Sequence, residues 1–323
     1  MQIWSIMALL VAMAFPCVAI NANDDIETYD IIQVIQLETV SDIAWSPDGS
    51  QLAIVHNGSI EFLDSETWET LLMIPDARVS HVVWKSDGTQ VASVSGGNPS
   101  SLYIWNAMTG DLIEHLEVDY GSIQGGVFPM YELSWSNDDS LIASDSYAVD
   151  VLIWDPVVHS VYVLGSHEMG RVMSVDWNAT SDLLISSGSD GTLHIWDVET
   201  NQSVLTFPGF HIAEWHPTEN WIMTLTDYET ITVFDTETGK AVNSFNADAR
   251  IIVASWNVDG SLLVMGGNDG SIQIWDTNSE SIIQVINNLE NPLAVAWHPT
   301  ENILALADYI GRVHVWEIST LAG

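Results

Sequence analysis

An aromatic residue that closes a short apolar run and precedes a turn recurs seven times along the chain, at Trp45, Trp84, Trp135, Trp177, Trp215, Trp256 and Trp297. The intervals are 39, 51, 42, 38, 41 and 41 residues. A second marker follows each, at Leu63, Trp105, Trp154, Trp196, Phe234, Trp275 and Trp316, and from the third repeat onward it comes 19 residues after the first. Twelve of the fifteen tryptophans stand in these two columns; the others are Trp4, Trp68 and Trp221. A period of about 40 residues marks a repeat architecture, in which each unit buries its apolar faces only against its neighbours.

Each unit reads as short alternating strands divided by turn residues. In the first, Ile43-Ala44-Trp45 leads into Ser46-Pro47-Asp48-Gly49, a type I turn signal with Pro at its second position. A strand from Gln51, the hairpin pair Asn57-Gly58 and a strand ending at Asp64 follow. Asp190-Gly191 and Asp269-Gly270 stand in the same place in repeats 4 and 6, and a fourth strand such as 281–287 completes the unit.

These features resemble the WD-repeat β-propeller family over residues 31–321. The signature dipeptide is intact at Trp154-Asp155, Trp196-Asp197 and Trp275-Asp276, and weakened at Trp105-Asn106, Phe234-Asp235, Leu63-Asp64 and Trp316-Glu317. The resemblance implies an all-β fold, a seven-bladed β-propeller of four-stranded antiparallel blades. It also implies a hydrogen-bonded tetrad of His, Ser or Thr, Asp and Trp, which repeat 4 supplies as His167, Ser187 (or Ser186), Asp190 and Trp196. Repeat 7 has too few residues for a fourth strand, while 31–36 nearly matches the outer strand of repeat 6. The N-terminal strand, about 30–38, is therefore expected to complete the last blade and close the ring.

Residues 1–22 read as a signal peptide, and 23–323 as a single propeller domain. An apolar run from Ile3 to Phe15 leads to small residues at Cys17 and Ala19, with a second possible cut after Ala22. No Lys or Arg precedes the run, so an uncleaved membrane tether is the alternative. Cys17 is the sole cysteine, and Pro16 before it departs from a lipobox. The body therefore has no disulfide framework. The expected location is extracytoplasmic: secreted, periplasmic or on the cell surface.

With 44 Asp+Glu against 6 Lys+Arg, the formal net charge is −38. Such a surface repels phosphate backbones and anionic headgroups, which excludes nucleic-acid binding and polybasic membrane contact. Three of the six bases, Arg78, Arg171 and Arg250, stand six residues before a first-column Trp. The resemblance places that column at the channel mouth on the narrower face. A ring of guanidiniums there suits acidic side chains; the plainer reading pairs each Arg with strand acids such as Asp176. Between Trp105 and Trp135 lie 30 residues against 19 to 23 in the other gaps, and the excess carries Tyr120, Phe128 and nearby Tyr131, further candidates for partner contact.

Asp176 and Glu214 share a column in adjacent repeats and are the one candidate acid pair. The stretch His-Pro-Thr-Glu-Asn occurs at both His216 and His298, which reads as shared descent rather than a metal site. No phosphate loop, zinc spacing or calcium loop is present, so no cofactor or metal is expected. The expected function is a non-catalytic, monomeric scaffold binding a protein or peptide on its narrower face. The alternative is a propeller hydrolase or lyase with its active site at the channel mouth.

Overall fold

The computed structural model describes residues 29–318 except 76, 78, 96–99, 119–131, 147–148, 181 and 288. Seven four-stranded antiparallel sheets form the ring, six of them running in chain order from an innermost to an outermost strand. Blade 4 is typical, with Val172–Trp177 innermost, then Leu183–Gly188, Thr192–Asp197 and, outermost, Gln202–Pro208.

The closing blade takes three strands from the C-terminal end, Pro292–Trp297, Ile303–Asp308 and Arg312–Ile318, and its fourth, Tyr29–Gln36, from the N-terminal end. That strand lies antiparallel to Arg312–Ile318, from Tyr29 opposite Ile318 to Gln36 opposite Arg312, with a bulge between Ile31 and Gln33. The expected ring closure is thus what the chain adopts.

Among the described residues the buried apolar side chains form seven clusters, one in each seam between neighbouring blades. A lone four-stranded blade cannot hide both its faces, and stacking around the ring removes that exposure. Second strands are therefore buried on both sides: the inner residues of Gln51–His56 are all buried, whereas Gln202–Pro208 at the rim buries only Phe207.

The acidic half of the signature dipeptide has a local task. Asp155 Oδ1 accepts the N–H groups of Val157 and Val158 at 2.9 and 3.0 Å, and Asp235 and Asp276 close the same turn in their own blades. Asn106 does this equally well through its carbonyl oxygen. Asx-type closure requires only a short side-chain acceptor. Glu317 departs from the pattern in the blade whose outer strand comes from the other end of the chain.

The paired His-Pro-Thr-Glu-Asn stretches have a seam task as well. His298 Nδ1 accepts from the N–H groups of Thr300 and Glu301, and its Nε2 lies 3.2 Å from Gly49 O in the first turn of blade 1. His216 makes the same local bonds in blade 5 and abuts Gly260 in blade 6. Gly49 and Gly260 both have φ of +74°, and a Cβ at either would stand 2.0 Å from the imidazole Nε2. Only glycine fits there, for both reasons.

Candidate binding face and channel

Loops entering the innermost strands and hairpins joining second to third strands meet at one end of the ring, hereafter the mouth face. Ile251 N donates to Tyr228 O at 2.8 Å, Ser189 N to Arg171 O at 2.9 Å, and Tyr309 N to Asn291 O at 3.1 Å, so each loop is fixed by the hairpin beside it.

Of the three arginines in one column, two are described. Arg171 lines the central cavity, about 900 Å³ in volume, and its Nε donates to Met173 Sδ at 3.1 Å. Arg250 is exposed, its guanidinium carbon 4.4 Å above the centre of the Tyr228 ring, a cation–π contact. Tyr228 also meets Phe210 edge-on at 5.1 Å. His211 lies within the field of both arginines; burial first, then Arg250 and Arg171, lowers its pKa. It holds a left-handed φ of 70°. Arg78, Tyr120, Phe128 and Tyr131 lie outside the described residues.

Asp176, the acid suggested as a local partner for these arginines, is engaged elsewhere. Its Oδ2 accepts the backbone N–H of Trp215 in blade 5 at 2.8 Å, and Ser134 Oγ of blade 3 approaches its Oδ1 at 3.4 Å. Glu214 does the same one blade on, accepting Trp256 N–H at 3.3 Å and the Ser255 hydroxyl at 3.2 Å. These two acids are seam bonds rather than a reactive pair. An innermost strand is a sheet edge, and a side chain from the preceding blade satisfies one of its free N–H groups.

The first-column tryptophans supply a second seam bond. The indole N–H of Trp45, Trp84, Trp177 and Trp297 donates at 3.1–3.3 Å to the carbonyl of Ala296, Ala44, Ser134 and Ser255 in the preceding blade. Trp135, Trp215 and Trp256 lack a partner for this N–H among the described residues, and there the equivalent residue is the larger Val83, Asp176 or Glu214. A small residue lets the indole approach; at two of the large ones the carboxylate takes the backbone N–H instead.

The tetrad of blade 4 is formed, with one correction to the sequence reading. Ser186, not Ser187, is its hydroxyl member. Trp196 Nε1 donates to Ser186 Oγ at 2.8 Å, Ser186 lies 2.8 Å from His167 Nε2, and His167 Nδ1 lies 3.2 Å from Asp190 Oδ1. With Ser186 Oγ accepting from the indole, its proton goes to Nε2, and Nδ1–H faces Asp190. Burial lowers the His167 pKa against the pull of Asp190, which suits a neutral ring. Ser186 is 0% exposed, so this Ser-His-Asp geometry meets no substrate. Ser187, on the other face of the strand, leaves its buried Oγ without a hydrogen bond among the described residues.

The missed signal was a spacing. Ser144 and Ser186 each precede their third-strand Trp by ten residues, and Trp154 Nε1 donates to Ser144 Oγ at 2.8 Å. Ser93 accepts from Trp105 in the same way across twelve residues. Ser186→Ala is expected to cost about 1–3 kcal/mol, because it leaves a buried indole N–H unpaired. Ser187→Ala should stay within about 0.5 kcal/mol. Urea unfolding midpoints of the two variants test that contrast.

Among the described residues, no group of three or more His, Cys, Asp or Glu is arranged to hold a metal ion. No helix there is long and apolar enough to cross a membrane.

The model of the WD domain, G-beta repeat, matches residues 158–197 and 237–276, each match ending on an intact Trp-Asp dipeptide. The chain carries WD repeats. Its similarity to the mouse (Mus musculus) F-box-like/WD repeat-containing protein TBL1X is 35% identity over 81 residues, which is 25% of this chain and 15% of that protein. Eukaryotic translation initiation factor 3 subunit I of Schizosaccharomyces pombe is 25% identical over 168 residues, 46% of this chain and 51% of that one. The chain thus spans at most about half the length of these curated relatives. A chain from the crystal structure of the mitotic checkpoint complex superposes with a TM-score of 0.76 at 18% identity, over 95% of this chain and 98% of that one. That likeness concerns the fold. WD-repeat propellers typically mediate protein interactions.

Proposed function

We propose that this WD-repeat protein is a non-catalytic, monomeric scaffold that captures a protein or peptide on its mouth face, outside the cytoplasm. The observation that carries the reading is Arg250, an exposed guanidinium set over the exposed Tyr228 ring in a chain with only six Lys and Arg. Arg171 stands two blades away at the cavity. Arg and Tyr are the residue types that anchor interfaces, because each offers a large contact area with a polar end. The placement outside the cytoplasm rests on the apolar run at residues 3–15 and on a body without cysteine. Against a hydrolase or lyase stands the use of Asp176 and Glu214 as acceptors for backbone N–H groups.

The test begins with a pull-down of exported proteins and purification of whatever binds saturably. Reversing charge at Arg78, Arg171 and Arg250 together is expected to weaken that binding at least tenfold while thermal unfolding stays unchanged. Undiminished binding by the folded triple variant removes the mouth as the contact. Turnover of a glycan or lactone panel by the unmodified ring would favour the enzyme instead.

A further inference from the structure

We propose that the channel wall is a proton-operated latch: five consecutive blades each set at least one titratable side chain against the same cavity, and the seams there tighten when the wall holds protons and loosen when it ionises. The five are Asp42, His81, Glu132, Asp176 and Glu214, from blades 1 to 5, and all line the 900 Å³ cavity. The first three stand three residues before the first-column Trp and the last two stand one before it. Side chains alternate along a strand, so both positions leave the same face of the blade, the face turned to the next blade at the cavity wall.

The wall brings like charges together with little to balance them. Asp145 approaches from the second strand of blade 3, accepting Glu132 N–H at 3.2 Å. Arg171, His211 and His298 line the same cavity; Arg171 has contacts of its own, and His298 Nε2 lies 3.2 Å from Gly49 O; among described residues the innermost strands of blades 6 and 7, Ile251–Trp256 and Pro292–Trp297, add no titratable group themselves. Three of the carboxylates also lie in the seams, since Asp42 accepts Val82 N–H at 2.9 Å just as Asp176 and Glu214 accept Trp215 and Trp256. Ionising the wall therefore places repulsion where the blades are joined.

Proton affinities run the same way. Burial raises the Asp176 pKa to about 7, against the hydrogen bonds that favour its charge. Burial also holds Glu132 well above the usual carboxylate range, reinforced by Asp145, Asp42, Asp176 and Glu214. Glu214 is raised by burial and by Asp176, and Asp42 by burial against His81. A carboxyl whose folded pKa lies above its unfolded one holds protons the unfolded chain has released. Its stabilisation is complete below the unfolded pKa, near 4, and is lost as pH rises through the folded value. Surface turn acids act oppositely: Asp87, held at about 2 chiefly by the Thr89 hydroxyl and then by Lys85, loses its contribution only in stronger acid.

The experiment is urea unfolding of the full chain between about pH 5 and pH 8, in about 1 M salt, where screening over about 3 Å suppresses surface repulsion. The midpoint of the wild type is expected to fall with rising pH. Glu132→Gln should flatten the fall substantially, while the exposed control Glu199→Gln keeps it. A wild-type midpoint that does not fall, or a Glu132→Gln slope equal to that of the wild type, overturns the proposal. Should Glu132→Gln not fold, infrared titration of the wild type decides: a protonated carboxyl band persisting at about pH 6 supports the latch, and its absence above about pH 5 overturns it.

Discussion

Deleting residues 30–38 is expected to leave a chain that unfolds more than about 10 °C lower, or that aggregates when expressed. The deleted strand supplies the whole outer pairing of blade 7, and Leu37 N also donates to Gly311 O at 2.8 Å. Its loss bares Arg312–Ile318 as an apolar sheet edge, the kind of surface that recruits other chains. Ile31 is 60% exposed, so apolar burial by that side chain is a minor part of the effect. Backbone pairing dominates, supported by Ile35 and Leu37 packing on the cluster around Trp45 and Val313. Circular dichroism melts of the purified deletion against the parent measure this, and equal unfolding temperatures would show that the ring holds without its closing strand.

Trp154→Ala is expected to cost about 3–5 kcal/mol, the usual range for removing a large aromatic side chain from a core. Trp154 is 0% exposed and packs with Ile104, Leu133 and Ile142 in the seam between blades 2 and 3. Its indole N–H also donates to Ser144 Oγ, so the substitution leaves a cavity and removes that hydrogen bond together. Trp154→Phe should be milder, because blade 5 already carries that arrangement: Phe234 occupies the column, and the buried Thr224 Oγ1 ten residues earlier has no partner among the described residues. Urea midpoints for the two variants separate the packing loss from the hydrogen-bond loss. Equal values for Ala and Phe would contradict this account.

Much of the fold was legible because a propeller is written locally. Turn residues, alternating strands and a repeating aromatic lie within about 40 residues of one another, so the seven blades and their closure could be read along the chain. The tetrad was legible in kind but not in its hydroxyl member. Ser186 and Ser187 are neighbours of the same type, and only the direction of each side chain in the folded strand separates them. The mouth arginines were legible as a column, yet the ring that Arg250 covers is 22 residues earlier, on a hairpin of the preceding blade. Asp176 and Glu214 were visible as a pair, and their acceptor role was not, because the N–H groups they bind belong to the next blade.

By itself, then, the sequence determined the number of blades, the four strands in each and the return of the N-terminal strand. Each of these follows from periodicity that a chain carries in its own order. Only the tertiary structure decided which groups meet across the seams: Asp176 and Trp215 N–H are 39 residues apart, His298 and Gly49 are 249 apart. Those pairings depend on how far one blade is rotated against the next and on which way each side chain leaves its strand. The bulk charge of −38 names no position. Bending the chain into a ring is what draws titratable groups from five consecutive blades to one channel.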